Sequence, residues 1–565
     1  MSFNRRTALL SAGLGTLAAA RLASGEEKHT SAELVAAESL LDVRYSDEEW
    51  RQMLAAFDDQ LELVRKARSF KADFDRAPAM VFDPRLPAWR PRRQRKTLRW
   101  SRPRSSLPKS DEDIAFASVP ELSRWIRTRK ITSERLTDIY LERLRRLGKP
   151  LECVVTIMED EARMAAQRAD KEARKGRFRS PLHGIPWGAK DLFDTRGVST
   201  TWGANPYKDR VPDRNAAVVD RLDAAGAVLV AKLTLGALAY GDVWYGGLTR
   251  NPFNLEEGSS GSSAGSASAV VAGLCGFTLG TETLGSIVSP SMRCGATGLR
   301  PTFGRVSRHG AMPLCWSLDK IGPICRTVEG AAMVLSSVHG ADARDPSAIS
   351  APFAFDRRRG LKGRRIGYAP GWFEGDKVEA LDKEMLKRVE RLGGRLVPLS
   401  VPELPYQGLL LTLFAEAAEC FYSLTDADRD DLLKRQDKDA WPNAFRRARL
   451  ISGMDLLRAD RLRREVMVAF DKMFDGVDAI IGPSFDNPML VATNYTGHPC
   501  LTLRTGFVER ANRGPDQKKD GPKKSVPHGM TLWGRLFEEG PLCEMGAALE
   551  RDMDVWRRRP EVASG

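Results

Sequence analysis

The sequence predicts an α/β fold built on a largely buried sheet, and three observations carry that prediction. Short apolar runs bounded by glycine, such as Ala227-Val-Leu-Val-Ala231, alternate with helical stretches such as Ala216 to Ala225. The run Val477-Asp-Ala-Ile-Ile-Gly482 reads as a late core strand of the same kind. At 565 residues and 42% hydrophobic, the chain can bury a large core, and its 48 glycines, 32 prolines and 29% charge exclude global disorder.

In chain order, residues 1–25 read as an export signal. Arg5 and Arg6 precede an apolar stretch from Ala8 to Ala20, followed by small residues. Paired arginines in that layout point to the twin-arginine route and to a periplasmic location. The apolar stretch is shorter than the ~20 residues a spanning helix needs, so no stable membrane span is expected.

Residues 26–110 read as an N-terminal extension. Asp47 to Ala72 has apolar residues at helical spacing, and a Pro- and Trp-bearing tract rich in arginine follows from Arg85 to Arg104. The tract contributes much of the net charge of +14. Phosphate or anionic-lipid binding is one reading of it. A solvated linker, or an arm over the main domain, is the preferred one, and no nucleic-acid partner is expected.

Residues 111–555 form the main domain. Val119, Leu122, Ile126, Ile131, Leu136, Ile139 and Leu144 suit two amphipathic helices, the second starting at Thr132, and a third helix is expected over Asp160 to Lys175. Glu509 to Ser525 is polar and reads as a mobile surface loop. The eight cysteines include no CxxC pair and read mainly as small buried hydrophobes.

The segment Gly258 to Pro301 is crowded with glycine, alanine and serine, yet Val270, Leu274, Phe277, Leu279 and Ile287 interrupt it. It is therefore packed backbone rather than linker. Gly261-Ser-Ser-Ala-Gly265 matches the GxSxG nucleophile elbow, but no apolar strand precedes it and no histidine has a convincing setting for a base. His183 and His498 lie in Gly- and Pro-flanked loops and read as structural. Gly280 to Gly285 lacks the Lys-Ser/Thr of a P-loop, and no tight His/Cys cluster suggests a metal.

Four stretches in register carry a stronger signal. They are Pro181-Leu-His-Gly-Ile-Pro-Trp-Gly-Ala-Lys-Asp191, GSSAG at 261–265, GTETLGS at 280–286, and Cys294-Gly-Ala-Thr-Gly-Leu-Arg-Pro-Thr-Phe-Gly-Arg-Val-Ser307. Together they resemble the amidase signature family over about residues 112–552. The resemblance implies a large mixed twisted β-sheet covered by helices on both faces. It also implies amide-bond hydrolysis through an acyl-enzyme, with no metal or organic cofactor.

Position by position, the resemblance places Lys190 on the catalytic lysine, Ser262 on the bridging serine that follows a cis peptide bond, and Ser286 on the nucleophile. It places the oxyanion hole at Thr283, Leu284, Gly285 and Ser286, with Ser263 and Glu282 in support. The chemistry is consistent with this: a serine needs a base, and lysine serves only when burial keeps it neutral.

Two positions depart from the family pattern. Leu284 stands where glycine is usual, and leucine adopts a positive φ poorly, so either the hole is distorted or the acyl pocket is narrowed. Val288 stands where arginine is common, which leaves Glu282 in need of another partner, with Arg293 the candidate. Three functions follow: an exported hydrolase of small or peptide-like amides acting as monomer or homodimer, an A-type amidotransferase subunit for tRNA charging, and an impaired binding protein on the same scaffold. Trp372, Phe373, Phe414, Phe421 and Tyr422 are candidate pocket aromatics in the variable region.

Overall fold

The computed structural model describes residues 31–563, apart from 55–56, 71–75, 88, 93–96, 104–105, 377, 486 and 514–520. The expected export signal lies outside the described residues. The chain divides into two compact units, one of residues 1–73 with 450–453 and one of 74–449 with 454–565. In the first, α1 (Ser31–Leu41) precedes the stretch expected to be helical, where α2 (Asp47–Leu54) and α3 (Phe57–Ser69) form. Among the described residues, no helix is long and apolar enough to cross a membrane.

The second unit is organised on an eleven-stranded sheet. A two-residue strand, β1 (Leu98–Arg99), precedes it in the chain. The sheet strands are β2 (Val154–Ile157), β3 (Pro186–Lys190), β4 (Val228–Leu233), β5 (Phe277–Glu282), β6 (Thr297–Arg300) and β7 (Lys320–Cys325). After a second short strand, β8 (Phe355–Asp356), come β9 (Arg365–Tyr368), β10 (Arg395–Pro398), β11 (Ala479–Pro483), β12 (Cys500–Arg510) and β13 (Lys524–Gly534). The order across the sheet is β10-β9-β11-β13-β12-β6-β7-β5-β3-β4-β2. Strands β3, β4 and β5 pair in parallel, and β5, β7, β6, β12 and β13 pair antiparallel, so the sheet is mixed. Every residue of β3, β5 and β7 is buried. Because successive side chains point to opposite faces, both faces are covered there.

The expected helices form α4 (Val119–Arg127), α5 (Ser133–Leu147) and α6 (Glu159–Arg174). The Thr132 side chain caps α5 by accepting from Arg135 N–H. The sequence missed one large feature. Glu509–Arg510 and Lys524–Ser525, expected in a mobile loop, end β12 and β13, whose long antiparallel pairing runs from Cys500 to Arg510. Polar residues at the tip of a hairpin that leaves the core look like loop, because neither edge is buried enough to show alternation.

The described residues between 76 and 110, grouped with the extension on sequence grounds, belong to the second unit and lie on it as an arm. β1 pairs in parallel with β8. Trp100 stacks on Phe355 at 5.1 Å and Trp89 meets Phe537 edge-on at 5.4 Å. Arg99 pairs with Asp356 at 3.1 Å, and Arg92 lies 3.6 Å from Glu538. Two of the arginines that look uncompensated along the sequence, Arg92 and Arg99, thus meet carboxylates of the main domain. All eight cysteines are buried and free.

Candidate active site

The segment Gly258 to Pro301 folds into β5, a short helix on each side of it, and β6. The helix before β5 is α7 (Ala264–Val271) and the one after it is α8 (Val288–Cys294). Small residues at the start of α7 let it press on the sheet. A Cβ on Gly265 would lie 2.5 Å from both the Cys153 carbonyl oxygen and the Thr234 nitrogen, so no larger residue fits. The peptide bond Gly261–Ser262 is cis.

Lys190 ends β3 and is fully buried. Its Nζ lies 2.8 Å from Ser262 Oγ, 3.1 Å from Ser263 Oγ and 2.9 Å from Thr281 Oγ1. Burial holds its pKa well below the usual lysine value, against the opposing pull of Asp319 and Glu282. The carboxylate next to it in sequence does not pair with it. Asp191 instead meets the equally buried Lys232 of β4 at 3.2 Å and accepts from Thr201 N–H and Oγ1.

The hydroxyls around Lys190 are not equivalent. Ser263 Oγ donates to the Thr281 carbonyl at 3.0 Å and accepts from Thr281 N–H at 3.1 Å. Its one proton is committed, so toward Lys190 it only accepts. A neutral amine offers two N–H donors and one lone pair. In that form the lone pair can accept a hydrogen bond only from Ser262 or Thr281.

Ser286 lies on the turn between β5 and α8, joined to the serine cluster by Ser263 N–H donating to its carbonyl at 3.1 Å. The turn is held from below by Glu282. One carboxylate oxygen accepts from Ile287 and Val288 N–H at 2.8 and 2.9 Å, and the other from Arg300 at 2.7 Å and Asn494 at 2.9 Å. Burial alone would raise the Glu282 pKa, but Arg300 and these donors outweigh it and bring the group down to about 2. From the side, Thr283 Oγ1 donates to Asp319 at 2.5 Å, and the other Asp319 oxygen accepts from Leu314 and Cys315 N–H.

One sequence expectation changes at this point, and the two departures from the family pattern find their settings. Glu282 does not pair with Arg293, which instead lies 3.9 Å from Glu257 and donates to the Arg513 carbonyl. Its partner is Arg300, which the sheet order places two strands away on β6. Val288, where the family arginine is common, is buried in an apolar cluster with Leu318, Leu413 and Met489. Leu284 is not among the residues with positive φ; Gly285 carries that conformation, with φ +89°. Among the described residues, the backbone N–H groups of Leu284, Gly285 and Ser286 donate to no protein group.

The aromatic candidates pack elsewhere. Trp372 meets Trp533, Phe373 meets Tyr368, Phe421 stacks on Phe445, Tyr422 lies under Arg449, and Phe414 rests on the core. The cavity beside Thr281 and Thr283 is lined instead by Leu192, Met312, Leu314, Trp316 and Ile321. His183 bonds the Ala169 carbonyl and His498 bonds Thr496, both as structural residues. Thr281, Arg300 and Asp319 were not found from sequence. Thr281 sits inside a recognised motif, whereas Asp319 carries no local signal.

A match to the Amidase family covers residues 135–542. The chain belongs to the amidase family. The A-type subunit of the glutamyl-tRNA(Gln) amidotransferase of Anaeromyxobacter sp. (strain K) is 32% identical to this amidase over 486 residues, which are 80% of this chain and 99% of the relative. The native peptide amidase of Stenotrophomonas maltophilia superposes with a TM-score of 0.68 at 28% identity, covering 79% of this chain and 98% of its own. An amidase family protein of Bacillus anthracis str. Ames gives 0.68 at 26% identity, covering 80% and 93%. This amidase is an amide-hydrolysing enzyme with the mixed-sheet fold of those neighbours.

Proposed function

We propose that this amidase cleaves a small or peptide-like amide through an acyl-enzyme on Ser286. The observation that carries the reading is a fully buried Lys190 hydrogen-bonded to three hydroxyls. Ser286 Oγ attacks the carbonyl carbon as its proton passes to Ser262, whose own proton passes to Lys190. The N–H groups of the turn 283–286 stabilise the oxyanion, a role in which one donor is worth on the order of 10²–10³ in rate. The proton returns through Ser262 to the departing amine, and water then cleaves the ester. Positive φ at Gly285 rather than Leu284 supports a working hole over an impaired binding protein.

A small-molecule amide as substrate and a monomer or homodimer as the working form complete the proposal. The engagement of Arg92 and Arg99 by main-domain carboxylates supports a structural role for that tract over nucleic-acid binding. For location we infer export to the periplasm by the twin-arginine route, on the strength of Arg5-Arg6 and the apolar stretch behind them.

A serine-directed fluorophosphonate should label the wild type and not Ser286→Ala; a folded wild type that resists labelling rejects the reading. Replacing Arg5 and Arg6 by lysine should abolish periplasmic recovery, and a wild type found only in the cytoplasm rejects export. A second reading rests on relatives that bear the name of the A-type amidotransferase subunit. It requires ammonia release from glutamine, and an enzyme that hydrolyses simple amides but not glutamine removes it.

A further inference from the structure

The N-terminal arm reaches the cavity that ends at Thr281 and Thr283. Ala77 lines that cavity together with Met312, Trp316 and Asp345. A few residues on, the arm is pinned. The Phe82 ring lies 5.0 Å from that of Phe303 and 3.4 Å from the guanidinium carbon of Arg463. Arg463 is itself buried and fixed by donating to the Tyr495 and Ser317 carbonyls. Pro84 follows on bare backbone, because a Cβ on Gly497 would come within 2.8 Å of it.

The cavity has a volume of 50 Å³. A single water needs roughly 10–15 Å³ on this measure, so there is space for a group of only a few heavy atoms. Its charged lining residues are already engaged. Both Asp319 oxygens accept hydrogen bonds, Arg308 donates to Trp316 and Ser347, and Arg344 pairs with Asp342 at 3.0 Å. Leu192, Met312, Leu314 and Ile321 contribute large apolar side chains to the wall. Such a cavity suits a short, uncharged, apolar group.

We propose that residues 76–84 form the outer wall of the substrate cavity, and that Ala77 sets the length of the uncharged apolar group a substrate amide carries into it. The inference rests on the hydrolase reading above. The wall lies ahead of residue 135, where the family match begins, and relatives matched over 99% of their own length span 80% of this chain. The length limit is thus built by a part of this chain outside the family match.

The test uses the full chain and alkyl fluorophosphonates from ethyl to decyl, with the labelling rate of Ser286 as readout and a parallel set of acyl amides assayed for kcat/KM. Ala77→Trp should slow the longest accepted chain by at least about tenfold, while the ethyl probe changes less than about twofold. Phe82→Ala, which releases the arm and leaves the remaining lining intact, should extend the accepted length. Equal effects on all chain lengths in Ala77→Trp, or none, overturn the wall while the hydrolase reading stands. Absence of labelling by every probe overturns the hydrolase reading and the wall with it.

Discussion

At the scale of single residues, the proposed reaction depends on keeping Lys190 uncharged, and its surroundings set how far. Burial lowers its pKa, and Asp319 is the strongest of the charges that raise it again. Asp319→Asn removes that charge and retains polar contact with Thr283. The acidic limb of kcat/KM, which reports loss of the neutral lysine, should therefore move to lower pH; a limb that stays put or moves up removes Lys190 as the base. Stability follows the same sign. A lysine whose folded pKa is depressed binds fewer protons folded than unfolded, so stability rises with pH between the folded value and the ordinary one near 10.4. Lys320 belongs here too, lowered to about 7 by burial first and by Arg300 second. Chemical denaturation from pH 7 upward should show Lys320→Met flattening this slope by up to about 1.4 kcal/mol per pH unit. Lys190, Ser262 and Ser286, on which the proposed reaction rests, stand out in the sequence because each sits in a motif. Lys232 was not singled out, although a lysine inside the apolar run Val228–Leu233 is a signal: nothing buries a cation there without a partner.

At the scale of elements, the turn between β5 and α8 is held by Glu282, and Glu282 by Arg300. Arg300→Met leaves a buried carboxylate without its cation, which costs about 3–5 kcal/mol. Urea denaturation should register that loss, and fluorophosphonate labelling should slow as the turn loosens. Arg293→Met, which leaves Glu257 still paired with Arg513 at 2.8 Å, should cost less than half as much; the reverse order would show that the turn is held from α8. The assignment of Glu282 to Arg293 failed for a general reason. Chain proximity suggests partners within a helical turn or two, whereas a mixed sheet brings β6 beside β5 only through the intervening β7. Strand existence was legible from composition at β4 and β11. Strand order, and with it the Glu282–Arg300 pair, was not, because pairing depends on contacts distant in sequence. The hairpin β12–β13 was hidden by its polar tip.

At the scale of the whole molecule, the question is where the dispensable N-terminal part ends. Composition puts the boundary at 110, where the basic tract stops. Packing puts it near 74, because the tract beyond that point covers apolar rings of the main unit and neutralises its carboxylates. Removing residues 1–73 takes away all of the first compact unit except 450–453 and should leave the melting temperature and the labelling rate of Ser286 close to wild type. Removing residues 1–110 uncovers Phe303, Phe355 and Phe537 and deprives Asp356 and Glu538 of Arg99 and Arg92. Each buried aromatic is worth about 1.5–3 kcal/mol, so losing the three contacts amounts to a large share of the 5–15 kcal/mol that usually holds a domain together. The longer truncation should therefore melt far below the shorter one or fail to accumulate as folded protein. Equal stability of the two would mean that the arm merely rests on the surface, and that the rings beneath it close over by themselves.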